Sequence, residues 1–262
     1  MVWGIAAILA GVVLGGIGGL ALRLRPYWVA KYRGVGASLR GASLPFAPLE
    51  GAPLTGADLR GADLQNARLQ RSFLMLANMA HTRLRDADLT RAFLGDANLT
   101  GADLTGVRMP GVNLNAASLR DARLAGADLT GASMWRARLT AASLPRARMA
   151  HSYIRHADLS DADLSGALLQ RANLESSTFG RANLAGADLE GALLRMATLA
   201  DANFSHANLT RADLAGADLT GVRLRGERVY GVLSSAAHYD SRTRWPAGFD
   251  ALKHGAVRVS ED

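Results

Sequence analysis

Side chains able to do chemistry are sparse in this 262-residue chain. It has no Cys, which excludes disulfides, thiolate nucleophiles and thiolate metal sites. Of its six histidines, His151 and His156 stand closest together. Two imidazoles do not make a metal centre, which takes three or four ligands, and no third is evident beside them, so no metal is expected. Gly16-Ile17-Gly18-Gly19-Leu20-Ala21 fits the G-x-G-x-x-A spacing by which a glycine turn admits a dinucleotide pyrophosphate to a helix N-terminus. That chemistry needs a preceding strand and an acidic residue about 20 positions on to hold the ribose. Arg40 stands there and no strand-helix-strand unit surrounds the glycines, so the match is rejected and no cofactor is expected. The remaining Ser, Asp and His residues recur at fixed intervals, as a repeat places them on a surface, and form no converging nucleophile, base and orienter. No catalytic residue is assigned and the chain is read as not an enzyme.

The elements that position these residues fall into two parts. Val2 to Leu22 is 21 residues without a charge, and as a helix this would span about 31 Å, the thickness of a bilayer's hydrocarbon core. Residues 1–22 are therefore expected to form a single transmembrane helix, followed by a basic and aromatic juxtamembrane linker at 23–36. Trp3 at one end and Tyr27, Trp28 and Tyr32 at the other lie where amphipathic rings meet the two interfaces. Arg23, Arg25, Lys31 and Arg33 all follow the apolar run, which places the rest of a single-pass protein on the cytoplasmic side of the cell membrane, with these four beside anionic headgroups. A cleavable signal peptide is the rival reading, but it wants positive charge before the apolar run and a small-residue cleavage site after it. Nothing basic precedes Val2, and Gly19-Leu20-Ala21 is flanked by arginine. Ala7, Gly11, Gly15 and Gly19 recur every four residues, a small-residue stripe on which two helices could pack as a homodimer. The plainer account of the same stripe is that glycine is common in membrane helices.

From residue 37 a period of five takes over. Leu39, Leu44, Leu49 and every fifth position to Leu224 give 38 sites, 31 of them Leu and the rest Met, Ile or Phe. Two residues before each stands a small side chain, Ala at all but Ser72, Thr82, Val107, Val112, Ser152, Ser177 and Val222. Five residues advance a helix by about 500°, so the Leu positions do not share a helical face, and an odd step alternates the faces of a strand. Only a chain that turns a corner once per unit keeps every Leu and Ala inside, which makes a solenoid. Gly at the fifth place suits a corner, where the backbone conformation disfavours a Cβ.

Charge sets the number of sides. Residues preceding each Leu point outward and stack on their equivalents in the next coil, where opposite charges help and like charges hurt. At a spacing of 20 they give Asp63/Arg83/Asp103/Arg123, Arg68/Asp88/Arg108/Asp128/Arg148 and Arg138/Asp158, eight pairs that are all opposite. At a spacing of 15 like pairs predominate, as in Arg68/Arg83 and Asp88/Asp103. Four sides are therefore favoured over three.

The unit, seen in Ala57-Asp58-Leu59-Arg60-Gly61 and Ala62-Asp63-Leu64, resembles the A(D/N)LXX motif of the pentapeptide repeat family across residues 37 to 226. The resemblance implies an all-β, right-handed quadrilateral β-helix over 37–229, with 190 residues making about 9.5 coils and about 45 Å of length at the usual strand spacing. Ala237 to Asp250, with Tyr239-Asp240, Trp245-Pro246 and Gly248-Phe249-Asp250, is similar to a segment that closes proteins of this family, so 230–262 is read as a cap and tail with Trp245 and Phe249 as cap residues. Better-understood family members resemble DNA in shape and acidity and bind type II topoisomerases, which implies a gyrase-modulator alternative. The surface argues against it: the net charge of +7 divides into +4 at residues 23–33, +3 over 34–226 with the signs interleaved, and zero in the tail. DNA mimicry needs strong acidity, and direct nucleic-acid binding needs a concentrated basic field, so neither is expected.

One side has no charged ladder. The face around Leu54, Leu74, Leu94, Leu114, Met134, Ile154, Leu174, Leu194 and Leu214 carries Phe73, Phe93 and Tyr153, with Met75, Leu76, Trp135 and Leu193, rimmed by Arg136, Arg155 and Arg195. Such side chains dominate protein-protein contacts, and they also stack on neighbouring coils to stabilise a solenoid. The sequence thus predicts a membrane-anchored scaffold with an unidentified protein partner.

Overall fold

The backbone's hydrogen-bonding needs explain each place in the repeating unit. A computed structural model describes residues 17–224, 235–245 and 247–259. In Ala57-Asp58-Leu59-Arg60-Gly61, the Ala57 N–H closes the preceding corner on the Leu54 carbonyl at 3.0 Å. Asp58 donates one coil back to Ala37 at 2.9 Å, while Leu59 and Gly61 donate one coil forward to Asn78 and Ala80 at 2.7 and 3.0 Å. One N–H is left, that of Arg60, and the Asp58 carboxylate accepts it at 3.2 Å. The same side-chain acceptor recurs at Asp88–Thr90 (2.9 Å), Asp128–Thr130 (3.1 Å) and Asn183–Ala185 (3.2 Å). Asp or Asn therefore occupies the second place because a short acceptor can reach the N–H two residues on, which no apolar residue can do.

This reassigns the charge ladders. Paired residues are 20 apart and parallel from Ser38–Asp58 to Asn203–Arg223, the four-sided register read from the charges. Of the eight opposite pairs, however, only Asp63–Arg83 comes within ion-pair distance, at 3.1 Å, among the described residues. The other aspartates turn to uncharged donors: Asp88 accepts from Thr90 Oγ1 in its own turn and from Gln70 one coil back, and Asp158 from the Ser160 N–H in its own turn and from Thr140 one coil back.

Every fifth residue from Gly36 to Gly221 has a positive φ, between 54° and 67°. That conformation at the third place of a four-residue turn is what type II turns require. Many of these corners are not Gly: Phe46, Leu76, Arg71, Arg91, Arg136, His151 and His156 all adopt it. At Gly101 a Cβ would also lie 2.6 Å from the His81 ring reaching across from the previous coil, so a side chain there would have to displace that ring.

Leu or its Met, Ile and Phe equivalents and the small residues fill the interior from Leu39 to Leu224, essentially without exposure. The polar exceptions at the Ala place are mostly satisfied. Thr82 Oγ1 donates to the Met79 and Leu59 carbonyls at 2.6 and 3.1 Å, and Ser152 to Met149 at 2.6 Å. Ser177 Oγ donates to the Ile154 carbonyl and accepts from the Ala157 N–H at 3.2 Å, standing in for the turn-closing bond between those residues. Ser72 Oγ is buried without a partner.

Both ends of the coil are covered. Helix α1, Ile17–Tyr32, runs across the boundary expected at residue 22, so most of the region read as a linker is helical. Its Ala30 is fully buried and Tyr27 and Val29 pack on the first coil. Lys31 Nζ donates to the Glu50 carbonyl at 2.7 Å and lies 3.8 Å from its carboxylate. Among the described residues no helix is long and apolar enough to cross a membrane. Ala7, Gly11 and Gly15 lie outside the described residues, as does most of the uncharged run, and Gly19 lies within α1. At the other end, β1 (His238–Tyr239) continues the ladder from Asp218 and pairs in parallel with β2 (Val257–Arg258). Tyr239, Trp245, Phe249 and His254 follow one another in ring contact, with centroids 5.5, 5.0 and 4.5 Å apart, and Trp245 and Phe249 pack against the core. Buried Asp240 accepts from the Gly221, Arg242 and Thr243 N–H groups at 2.9, 3.1 and 3.0 Å.

Three outcomes follow. Asp88→Asn keeps the acceptor and should change stability little, whereas Asp88→Ala should cost about 1 kcal/mol, the reverse of what a charge ladder demands. Ser177→Ala should cost about 1–2 kcal/mol and Ser72→Ala nothing, since only the former orphans a carbonyl and an N–H; denaturant midpoints compare both pairs. Burial would raise the Asp240 carboxyl, but the hydrogen bonds from Gly221, Arg242 and Thr243 outweigh it and hold the group well below the usual carboxylate range. Its contribution is then complete above the unfolded value of about 4 and is lost as pH falls below it. Hydrogen exchange at Val257 and Val259 should rise first in acid, and an exchange profile flat to pH 3 would refute this.

Candidate interaction surface

The side without alternating charges is one ladder: Pro53, Phe73, Phe93, Asn113, Ser133, Tyr153, Asn173, Leu193 and Asp213 stack in register. Its aromatic residues do not form one continuous strip. Phe73 and Phe93 stack with centroids 5.2 Å apart and planes 7° from parallel, leaving 43% and 39% of each exposed. Met75 and exposed Leu76 turn the corner beside Phe73. Asn113 and Ser133 then interrupt the ladder, so Tyr153 sits three coils beyond Phe93, about 14 Å at the usual strand spacing.

A second group forms around Trp135, which is on the corner rather than the face. The Arg136 guanidinium lies 4.3 Å from its ring centroid, a cation–π contact. Asn115 Oδ1 accepts from the Trp135 N–H and from Ser133 Oγ at 2.9 and 2.8 Å, fixing this corner. Arg155 and Arg195 are not open rim charges, because they pair with Glu175 at 3.2 Å and Asp213 at 3.5 Å. The six residues singled out for binding are therefore placed as Phe73, Met75 and Phe93 in one group and Trp135, Tyr153 and Arg155 in another.

On the corner preceding the phenylalanines runs a groove lined by Glu50, Gln70, Arg71, Thr90, Arg91 and Thr130, which the sequence reading does not single out. Arg71 and Arg91 have no acidic partner within ion-pair distance among the described residues. Their spacing of 20 is the signal that places them side by side, flanking Phe73 and Phe93 opposite Met75 and Leu76. A stacked apolar pair edged by two unpaired guanidiniums has the composition of a binding patch.

Of the four basic residues read as headgroup neighbours, Lys31 is bound to Glu50 and serves the end cap. Arg25 and Arg33 are exposed, and Arg23 lies within α1. His151 and His156 occupy corners on opposite flanks of Tyr153, and among the described residues no three His, Asp or Glu side chains converge to hold a metal.

Four sides, twenty residues per coil, parallel ladders and a filled interior define a β-solenoid repeat protein. The chain belongs to the pentapeptide repeat family, whose model matches eight overlapping copies across residues 35–226. Among solved structures it is similar to HetL of the cyanobacterium Nostoc sp. strain PCC 7120, described as involved in heterocyst differentiation regulation, at 35% identity over 80% of this chain and 94% of that one, with a TM-score of 0.38. It is also similar to a pentapeptide repeat protein of the Arabidopsis thaliana thylakoid lumen, at 29% identity over 42% and 70% of the two chains (TM-score 0.30). A third is QnrB1, a plasmid-mediated fluoroquinolone resistance protein, at 17% identity over 73% and 86% (TM-score 0.35). No curated protein matches the chain significantly.

The surface is separable from the core. Phe93→Ala should lower stability by about 0.5–1.5 kcal/mol, the worth of an aromatic pair, whereas adjacent Leu94→Ala should cost about 2–5 kcal/mol. Equal losses in denaturant unfolding would mean that the phenylalanines belong to the core.

Proposed function

We propose that this protein is a membrane-anchored, right-handed pentapeptide repeat scaffold that binds a partner protein and carries out no catalysis. The observation that carries the reading is the exposed Phe73–Phe93 stack between Arg71/Arg91 and Met75/Leu76 on an otherwise charge-studded rod. Solvent-facing aromatic rings beside unpaired arginines supply most of the energy of protein interfaces, and the rigid coil pre-organises them. The anchor rests on the 21 uncharged residues Val2 to Leu22 and on the basic residues that follow them, which put the rod on the cytoplasmic side. The helix-dimer stripe of Ala7, Gly11, Gly15 and Gly19 adds a homodimer reading within the same membrane.

The decisive experiment is crosslinking and purification of the full-length protein from its own membrane, compared with a Phe73→Asp/Phe93→Asp variant. A stoichiometric partner lost only from the variant, with membrane retention and thermal unfolding unchanged, is the expected result. An identical set of copurifying proteins would refute the surface, and added protein that alters supercoiling by DNA gyrase would replace this reading with the topoisomerase-modulator one.

A further inference from the structure

Helix α1 divides its side chains between two jobs. Tyr27, Ala30 and Lys31 face the first coil, where Ala30 is buried and Lys31 is held by Glu50. Arg25, Trp28 and Tyr32 follow at three- and four-residue steps and line a shallow groove together with Arg33 and with Val29, which also packs on the first coil. Trp28 and Tyr32 are 54% and 61% exposed, yet their rings stack with centroids 5.4 Å apart. Arg25 also borders a second groove between α1 and the first coil, which it shares with Arg40. Among the described residues none of Arg25, Arg33 and Arg40 has an acidic partner within ion-pair distance, while the neighbouring cation, Lys31, lies 3.8 Å from the Glu50 carboxylate, which also pairs with Arg68 at 2.6 Å.

We infer that this end of the solenoid is a docking surface for anionic lipid headgroups: Trp28 and Tyr32 lie at the headgroup level while Arg25 and Arg33, supported by Arg40, hold lipid phosphates. Two features point to a bilayer over a protein partner. The helix bearing the groove leads directly back into the uncharged run that begins at Val2. Stacked Trp and Tyr rings bracketed by arginines also combine the amphipathic rings and positive charge that interfaces with anionic leaflets select. Because the opposite face of the same helix is packed on the first coil, the bound lipid surface would fix the tilt of the rod as well as its position. This inference rests on the anchor reading for its geometry, yet it makes a separate demand, for lipid charge.

The absence of Cys allows single labelling sites without background substitutions. Full-length protein carrying Val35→Cys or, at the far end, Leu252→Cys is labelled with a fluorophore and reconstituted in phosphatidylcholine vesicles containing brominated phosphatidylglycerol or, at equal fraction, brominated phosphatidylcholine. The label at 35 should report at least about fivefold preference for the anionic lipid, one basic residue's worth near a charged surface, and Arg25→Gln/Arg33→Gln should bring that preference to about one. The label at 252 should be quenched by neither. Equal quenching by both lipids, or a preference untouched by the double substitution, overturns the proposal whether or not the chain floats with vesicles after carbonate extraction. Loss of flotation with the arginine-dependent preference retained before extraction would refute the anchor and leave the headgroup surface standing. No association with vesicles at all overturns both.

Discussion

A left-handed residue every five positions is the constraint on which the rest of this structure depends. Each corner turns through a single residue near φ 60°, and four such turns return every fourth unit to the same side. Placing a side chain there costs about 1–2 kcal/mol, less for Gly, Asn and Asp. That Arg, His, Leu and Phe tolerate it at so many corners means the inter-coil hydrogen bonds and the Leu interior over-determine the conformation. Once the corners are set, the interior has room for one large and one small side chain per side, and the composition follows.

Stability in such a molecule is a sum over neighbours, because each coil touches only the one before and the one after. The open ends are then the weak points, since they expose unpaired strand edges and Leu side chains. At the first coil the cover is a helix fixed by Ala30 and by Lys31 on Glu50; at the last it is the Tyr239–Trp245–Phe249–His254 ring series locked by Asp240. Neither cover repeats, which is why each contains side chains found nowhere in the interior.

The coil was legible in the residues because its physics is periodic. Leu and Ala at fixed offsets define what is inside, and pairs such as Asp63/Arg83 fix the period of 20. What was not legible depends on side-chain reach rather than on spacing. Asp88 could serve Arg68 and Arg108 across coils or the Thr90 N–H within its own turn, and the local acceptor geometry wins because it satisfies an otherwise unpaired backbone group. Lys31 reads as one more juxtamembrane cation until α1 swings it over Glu50. The break that Asn113 and Ser133 make between Phe93 and Tyr153 and the pairing of Arg155 with Glu175 both lie in columns that the period of 20 spells out. Arg71 and Arg91 likewise share a column that the same period places on one corner.

The reach of one corner over the next, as His81 over Gly101, gives the rod a grammar for its own evolution. A duplication or deletion of twenty residues would leave every column intact and change only length, by about 4.8 Å. Removing a single five-residue unit would keep the same buried Leu and Ala yet rotate all later columns by a quarter turn, carrying Trp135 and Tyr153 away from Phe73 and setting long side chains over corners that lack a Gly to receive them. Surface patterning, not the interior, is therefore what would hold the lineage to whole coils.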